Sequence, residues 1–289
     1  MNEVVVGVDG SEESTRAARW AGREAGARGA VLRIVAAAGP WATPAPESGS
    51  SAAGSSWPRE NTRAAAQAAQ DAAAGLAVRE ELAVREEVVG ERPVKALLTA
   101  AREAEMLVLG SRALGPVTGF VLGSVGLSVV AHATLPVVAV RDGGAGASAP
   151  VLVGVDVTHD CDPVLGFAYE TARQHGVGVR VLHAWSVQQQ YAYPSALPDP
   201  AAVDRAEAQA GRAVEEVLEP WRQRYPDVGT RVVLALGAAA PFLLDESSSA
   251  ALLVTGRRTR GHPFPTRIGP VTHAALHHAA CPVAVVPHR

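Results

Sequence analysis

The chain has 289 residues, of which 48% are hydrophobic and 19% are charged, a composition typical of a globular protein with buried cores. Its 26 basic and 29 acidic residues give a net charge of -3, which provides no electrostatic reason to bind nucleic acid or an anionic membrane. Two cysteines exclude a disulfide framework. No apolar run approaches the length that crosses a bilayer, and no secretory signal precedes the first predicted strand, so we expect a cytoplasmic protein with no membrane segment.

Short valine-rich runs alternate with alanine-rich amphipathic stretches in the first half of the chain. This alternation is typical of a parallel sheet with helices on both faces. Ser11 is expected to cap the first helix. The predicted strands are residues 3–9, 31–37, 83–89, 105–109 and 136–140. The predicted helices are residues 12–28, 58–76, 93–102 and 124–133.

The strand sequences of the first half return in the second half. Residues 4–9 (VVVGVD) resemble residues 151–156 (VLVGVD), and the strand that ends at Gly110 resembles the strand that ends at Gly256. Because the similar segments come in the same order at a nearly constant spacing, they predict a duplicated domain. The predicted organisation is a first domain, a linker rich in Gly and Ala, and a second domain, at residues 1–141, 142–149 and 150–289.

Three groups of residues are predicted to meet at the carboxyl edge of the first sheet, where open parallel sheets bind ligands at a reversal of strand order. Asp9 ends the first strand, and its carboxylate can accept hydrogen bonds from ribose hydroxyls or an adenine amine; alternatively, it only caps a helix or turn. Residues 110–112 (GSR) follow a buried strand, and residues 123–125 (GSV) open the next helix. Glycine lets the backbone approach a phosphate, and a helix N-terminus offers unpaired N–H groups to an anion.

The spacing of these glycines resembles the motif of the universal stress protein family, whose ATP-binding members carry Gly, two residues, Gly, nine residues, Gly and then Ser or Thr. Gly110 occupies the first position here, Ala113 stands at the second, and Gly123 and Ser124 follow after nine residues. The resemblance covers nearly the whole chain, twice. It implies an α/β fold with two tandem, open, mostly parallel five-stranded sheets and helices on both faces, which is a Rossmann-like arrangement of the nucleotide-binding α-hydrolase type. If the second motif position needs a positive φ, Ala113 strains the loop; if it needs only a small residue, Ala113 suffices.

The resemblance also implies a binding site for ATP, accompanied by Mg2+, in the first domain, with no catalytic and no metal-ligating side chain. Asp9 would contact the adenosine. The residues implied around the adenine, with Gly90 assigned to the same region, are Ala36, Val88, Val89 and Gly90. The residues implied around the phosphates are Gly110, Arg112, Gly123, Ser124 and Val125, and Ser111 is counted with them among the binding residues.

The second domain departs further from the motif. Asp156 and Gly256 are retained, but Thr259 stands at the second glycine position, and Pro270 follows Gly269 where the family has Ser or Thr. Proline removes both a hydroxyl and a backbone N–H donor, so we expect this domain to bind ATP weakly or not at all. The arginines near its loop could bind an anion or form an exposed basic surface, and they are Arg257, Arg258, Arg260 and Arg267.

Several histidines and cysteines could bind a metal or react, but we interpret them as structural. His273 and His277 lie four positions apart on one helical face, but no carboxylate or cysteine lies at the spacing of a zinc site. Cys281 begins an apolar strand and is predicted to be buried. Cys161 lies at a predicted helix start between two aspartates, whose charges oppose formation of a thiolate.

Three functions are compatible with the sequence. The first is a nucleotide-dependent regulatory or stress-response protein, in which ATP sets the shape of residues 110–124 for an unknown protein partner. The second is a slow ATPase or phosphotransferase, and the third is a nucleotide-free interaction scaffold. Domains of the family commonly pair through their last strand, and residues 136–140 and 282–286 are apolar enough to do so. We therefore expect an internal pseudo-dimer that is monomeric in solution, with a homodimer as the alternative.

Overall fold

The computed structural model describes residues 2–39, 57–74, 82–113, 120–186, 200–259 and 268–289. The strands of the first half are β1 Glu3–Val8, β2 Val31–Ala37, β3 Val84–Val89, β4 Met106–Gly110, β5 Arg112–Ala113, β6 Phe120–Val121 and β7 Val137–Val140. Its helices are α1 Glu12–Arg28, α2 Trp57–Ala74, α3 Pro93–Ala100 and α4 Gly123–His132. Every strand and helix predicted for this half is present, and the short pair β5 and β6 is an addition that no periodic pattern of the sequence indicated.

The second half repeats this plan. Its strands are β8 Val151–Val155, β9 Val179–Trp185, β10 Thr230–Leu236, β11 Leu252–Arg258 and β12 Val283–His288. Its helices are α5 Asp162–His175, α6 Pro200–Arg224, α7 Ala239–Ser247 and α8 Pro270–His278. Among the helices of the described ranges, none is long and apolar enough to cross a membrane.

The ten long strands form one sheet in the order β10-β9-β8-β11-β12-β7-β4-β1-β2-β3. Within each half the five strands pair in parallel, as predicted. The first half winds outward from β1 in both directions, because β2 lies on one side of β1 and β4 on the other. The order of strands therefore reverses between β1 and β4, which is where open sheets of this kind leave a crevice at their carboxyl edge.

The two halves meet through an antiparallel pair formed by β7 and β12, in which Val138 lies opposite Ala284. Both residues are fully buried. Each of these strands would otherwise leave a row of unpaired backbone groups and apolar side chains at a sheet edge. Their mutual pairing explains why the duplicated domains form one continuous sheet.

The helices cover this sheet in two layers. On one face α1 and α2 bury alanines against β1 and β2, and on the other face α3 and α4 bury leucine and valine. Helix α1 begins where the sequence indicated, because the Ser11 hydroxyl accepts a hydrogen bond from the N–H of Ser14 at 3.1 Å. This cap orients the turn that carries Asp9.

Two buried arginines connect the helices of one half to the other half. Arg141 follows β7, and its guanidinium donates hydrogen bonds to carbonyl oxygens at the end of α8. Arg257 lies in β11 and donates to the carbonyl oxygen of Ala133, which caps the carboxyl end of α4. Each arginine places a positive charge at a helix end whose dipole is negative.

Candidate functional site

The crevice between β1 and β4 brings two charged side chains of the predicted site together. Asp9 is exposed directly after β1, and Arg112 is exposed two residues after β4 ends. Burial by itself raises the pKa of Asp9, but hydrogen bonds from Ser11 and the charge of Arg112 outweigh burial and lower it. Asp9 is therefore an anion at neutral pH, with a cation close by.

Asp9 also has a structural role. Its Oδ1 atom accepts hydrogen bonds from the N–H of Ser11 at 3.0 Å and from the hydroxyl of Ser11 at 2.5 Å. These bonds fix the turn between β1 and α1. The turn role that the sequence left open is thus real, and because the carboxylate is also exposed, the turn holds it at the mouth of the crevice.

Glycine is needed at position 110 because the backbone of β4 and the backbone of α1 approach each other closely there. A Cβ atom at this position would lie 2.5 Å from the carbonyl oxygen of Glu13 in α1. The absence of a side chain therefore lets the end of β4 lie against the first turn of α1. Gly110 positions the crevice through this contact.

The structure shows a structural role for Ser111. This residue is only 2% exposed. Its N–H and its hydroxyl both donate to the carbonyl oxygen of Val140, at 2.9 Å and 3.0 Å. The hydroxyl is thus engaged by β7.

Gly110 and Gly90 provide a matched test of these glycine roles. Gly110→Ala is expected to lower the free energy of unfolding by about 1 to 3 kcal/mol, because a clash with backbone cannot be relieved by a change of rotamer. Gly90→Ala is expected to change it by less than about 0.5 kcal/mol, because a Cβ there meets nothing within 4 Å. Urea unfolding monitored by circular dichroism measures both, and equal effects would contradict the assignment.

The alanine at the second motif position lies in a strand, where no positive φ is needed. Ala113 belongs to the two-residue strand β5 and pairs with Phe120 of β6. A residue in a strand pair has an extended backbone, which alanine adopts readily. Residues 114–119, which complete the loop, lie outside the described ranges.

Gly123 does need a special backbone conformation. Its φ is +69° at the start of α4, in the left-handed region that favours glycine. Ser124 and Val125 follow in the first turn of α4, and both are exposed. The first N–H groups of a helix have no partner within the helix, so this turn can bind an anion.

The residues expected around the adenine lie on different faces of the sheet. Ala36 is fully buried in the core between the sheet and helices α1 and α2. Val88 is its neighbour in register on the edge strand β3 and is 38% exposed. Val89 packs on the opposite face, against the core under α3 and α4. The Ala36 side chain therefore supports the sheet and does not reach the crevice.

The corresponding crevice of the second half indicates which strand positions line such a site. A cavity of about 1780 Å³ opens at the carboxyl edge of that half, beside Asp156, Gly256 and Gly269. Its walls include Leu182 and Ala184 of β9. In the first half the positions that correspond to these two by sheet register are Val35 and Ala37, which sequence reasoning missed. The alternation of side chains along β2 could have identified them, since neighbours of Ala36 point to the opposite face.

Two opposite charges that line the cavity of the second half, those of Asp156 and Arg258, are paired with each other. Asp156 accepts a hydrogen bond from Thr158 at 2.6 Å and forms an ion pair with Arg258 at 3.1 Å. Pro270 is the first residue of α8 and offers neither a hydroxyl nor an N–H, as the sequence indicated. Arg257 is buried against the first half, and Arg260 and Arg267 lie outside the described ranges.

The cysteines and histidines occupy structural positions. Burial raises the pKa of Cys281 to about 12, and burial together with the neighbouring Asp162 raises the pKa of Cys161 to about 11. Both predictions for the cysteines are confirmed. The rings of His273 and His277 lie 4.4 Å apart, and within the described ranges no group of three or more His, Cys, Asp or Glu residues is placed to hold a metal ion.

The motif and the duplicated sheet agree with a comparison to known families. The model of the Universal stress protein family matches residues 1–141 and again residues 148–287. The chain belongs to the universal stress protein family. Both halves of this universal stress protein are therefore family domains, and the sequence resemblance is confirmed.

Curated relatives of this universal stress protein carry the same family name and align with it over nearly their whole length. Universal stress protein Rv2005c of Mycobacterium tuberculosis is 34% identical over 292 residues, which cover 98% of this chain and 96% of the relative. Universal stress protein Rv1996 of the same organism is 33% identical over 306 residues, covering 98% of this chain and 94% of the relative. The similarity thus extends across both domains.

Among solved structures, a universal stress protein from Archaeoglobus fulgidus matches with a TM-score of 0.71. The match covers 99% of this chain and 98% of that chain, at 18% sequence identity. At this identity the likeness concerns the fold alone. It confirms the α/β class of this universal stress protein.

Proposed function

We propose that this protein is a nucleotide-dependent regulator whose first domain binds ATP with Mg2+ in the crevice between β1 and β4. The observation that carries the proposal is the meeting of an anionic Asp9, the cation Arg112 and a helix N-terminus opened by Gly123 at one reversal of strand order. A carboxylate can accept hydrogen bonds from ribose hydroxyls, and a guanidinium and helix N–H groups can bind phosphates. Together these protein groups match the sugar and the phosphates of one nucleotide.

Each part of the nucleotide has residues to hold it. Asp9 would accept hydrogen bonds from the ribose or the adenine amine. Ala37, its register neighbour Val89 and Gly90 would lie beside the base. The phosphates would lie between Arg112 and the first turn of α4, where Ser124 adds a hydroxyl. Mg2+ would be held mainly by the phosphate oxygens and water, as is usual for this ion.

A binding function is favoured over turnover. Asp9 is the carboxylate described at the crevice, and the turn at the start of α1 holds it. Because its pKa is lowered, it would be a weak general base for hydrolysis. ATP would then act by ordering residues 110–124 for a protein partner. A steady-state assay of phosphate release on the same samples checks this point.

The test is calorimetric titration of the full chain with MgATP. We expect one ATP per chain, and we expect Gly123→Val to weaken binding at least about tenfold, because a β-branched residue is strained by more than about 1 kcal/mol at positive φ. The matched control is Gly269→Val, at the same motif position of the second domain, where φ is -64° and a Cβ meets nothing within 4 Å. This control should leave the affinity unchanged.

Two other results of the titration would point to a different function or site. Loss of binding in Gly269→Val alone would place ATP in the large cavity of the second domain and contradict the proposal. Absence of binding to the intact chain would favour the scaffold function.

A further inference from the structure

A separate cavity of about 390 Å³ lies between the two halves, on the face covered by α1 and α5. The segment that connects β7 to β8 covers part of it, through residues 142–147. Ligand sites occur preferentially at such junctions, and their volumes start at about 300 Å³. None of the residues of the proposed ATP site lines this cavity.

Its polar wall is basic. Arg16, Arg19 and Arg23 all line the cavity, because residues three or four positions apart share one face of a helix. Arg16 forms an ion pair with Asp142 at 3.0 Å. Within the described part of the chain, Arg19 and Arg23 join no ion pair and no hydrogen bond of their side chains.

The carboxylates of the wall do not neutralise these two arginines. Asp142 is paired with Arg16. Glu24 is paired with Arg28 at 2.6 Å and with His175 at 2.7 Å. Arg19 is exposed and Arg23 is partly buried, and neither guanidinium has a counterion among the described residues.

Holding these two charges together is unfavourable. Burial lowers the pKa of Arg23, and the charge of Arg19, one turn away on α1, lowers it further. A bound anion would relieve this repulsion and accept charge-assisted hydrogen bonds from both side chains.

Besides Arg141, Thr171 and His175, the remaining walls are apolar. The apolar part is formed by the aromatic ring of Trp20 and by aliphatic side chains from both halves, namely Val140, Val151, Val177 and Leu252. A ligand that fits such a cavity has an apolar body with an anionic group attached to it. A phosphate monoester carries about -1.5 to -2 charges at pH 7, which two arginines can neutralise, whereas a carboxylate carries only one.

We propose that the cavity between the halves binds a small organic phosphate ester, with its phosphate on Arg19 and Arg23 and its apolar part against Trp20. Because α1 and the connecting segment belong to one half and α5 to the other, the ligand would bridge the two domains. The site would exist only in the tandem chain.

Phenyl phosphate is the probe, titrated calorimetrically into the full chain that is saturated with MgATP. We expect binding to the intact chain and a loss on the order of tenfold for each arginine removed, thus about 100-fold in Arg19→Gln/Arg23→Gln. Arg19→Lys/Arg23→Lys should keep part of the affinity, because the charge remains while the planar fork is lost. Benzoate, with one charge, should bind at least about tenfold more weakly.

The control is Arg63→Gln/Arg102→Gln, which removes the same charge from exposed positions outside this cavity. It should bind phenyl phosphate like the intact chain, and both double variants should unfold at the same temperature. Three results would overturn the proposal: no binding to the intact chain, the same affinity in the Arg19/Arg23 variant, or an equal loss in the control. Equal binding of benzoate would overturn the assignment to phosphate. If Gly123→Val abolishes ATP binding but keeps phenyl phosphate binding, the two sites are independent.

Discussion

Glu24→Ala is expected to lower the free energy of unfolding by about 3 to 5 kcal/mol, because it breaks a buried ion pair and leaves the buried guanidinium of Arg28 with only its longer contact to Glu105. Glu24 is only 1% exposed. Its carboxylate accepts hydrogen bonds from Arg28 at 2.6 Å and from His175 of the second half at 2.7 Å. The substitution therefore acts on the contact between α1 and α5 as well as on α1 itself.

The control variant removes a second acidic partner of Arg28. Arg28 also approaches Glu105, at 3.6 Å, but that side chain is 33% exposed. Glu105→Ala is expected to cost less than about 1 kcal/mol, since water screens a half-exposed pair. Urea unfolding of both variants decides the matter, and equal costs would show that Glu24 contributes no more than a surface charge.

The Glu24 contribution has a defined dependence on pH. Burial by itself raises the pKa of Glu24, but its bonds to His175 and Arg28 outweigh burial and hold the pKa below the ordinary value of 4.5. The stabilisation is therefore fully present above pH 4.5 and is lost as the pH falls through the lower pKa of the folded state. The difference in stability between the intact chain and Glu24→Gln should shrink as the pH falls below 4.5.

Arg141→Met is expected to destabilise the protein by about 3 kcal/mol, because buried carbonyl oxygens that lose their donor cost about 1 to 3 kcal/mol each. Arg141 donates to the carbonyl oxygens of Ala275, Leu276 and Ala279, at 3.3, 2.8 and 3.1 Å. Burial lowers the pKa of Arg141 to about 10, so the side chain is still charged at neutral pH. Removing this buried charge recovers part of its desolvation cost, which limits the net effect.

Arg102→Met is the matched control for this variant, because Arg102 is exposed. Its effect should stay within about 0.5 kcal/mol. The midpoint and the slope of urea unfolding are the readouts. A single transition with an unchanged slope would show that both halves still unfold together, and an Arg141→Met midpoint equal to that of the control would contradict a role in joining them.

Local patterns determined the elements of this protein. The positions of the strands and helices follow from the alternation of valine-rich and alanine-rich segments, and the cap at Ser11 follows from a single residue type at a helix start. The glycine at position 123 could also be selected from the sequence, because glycine is the residue type that adopts a positive φ without strain. The duplication was visible because each half repeats these same local signals.

Contacts between distant segments decided the rest. The hydroxyl of Ser111 is engaged by Val140, a residue whose proximity depends on how β4 and β7 pair. The burial of Ala36 depends on which face of β2 meets α1 and α2. A sequence motif records spacing along the chain, but it carries no information on the face of a strand that a given register exposes.

The junction of the halves was the part that the sequence could indicate least. Apolar composition suggested that the last strands pair, yet the bonds of Arg141 and Arg257 to helix ends and the pairing of Glu24 with His175 carry no local signature. Each joins residues more than 100 positions apart, and such contacts arise only when two folded halves bury a shared surface. The sequence by itself thus determined the two domains and their motif, whereas tertiary structure decided which side chains face a ligand and which hold the domains together.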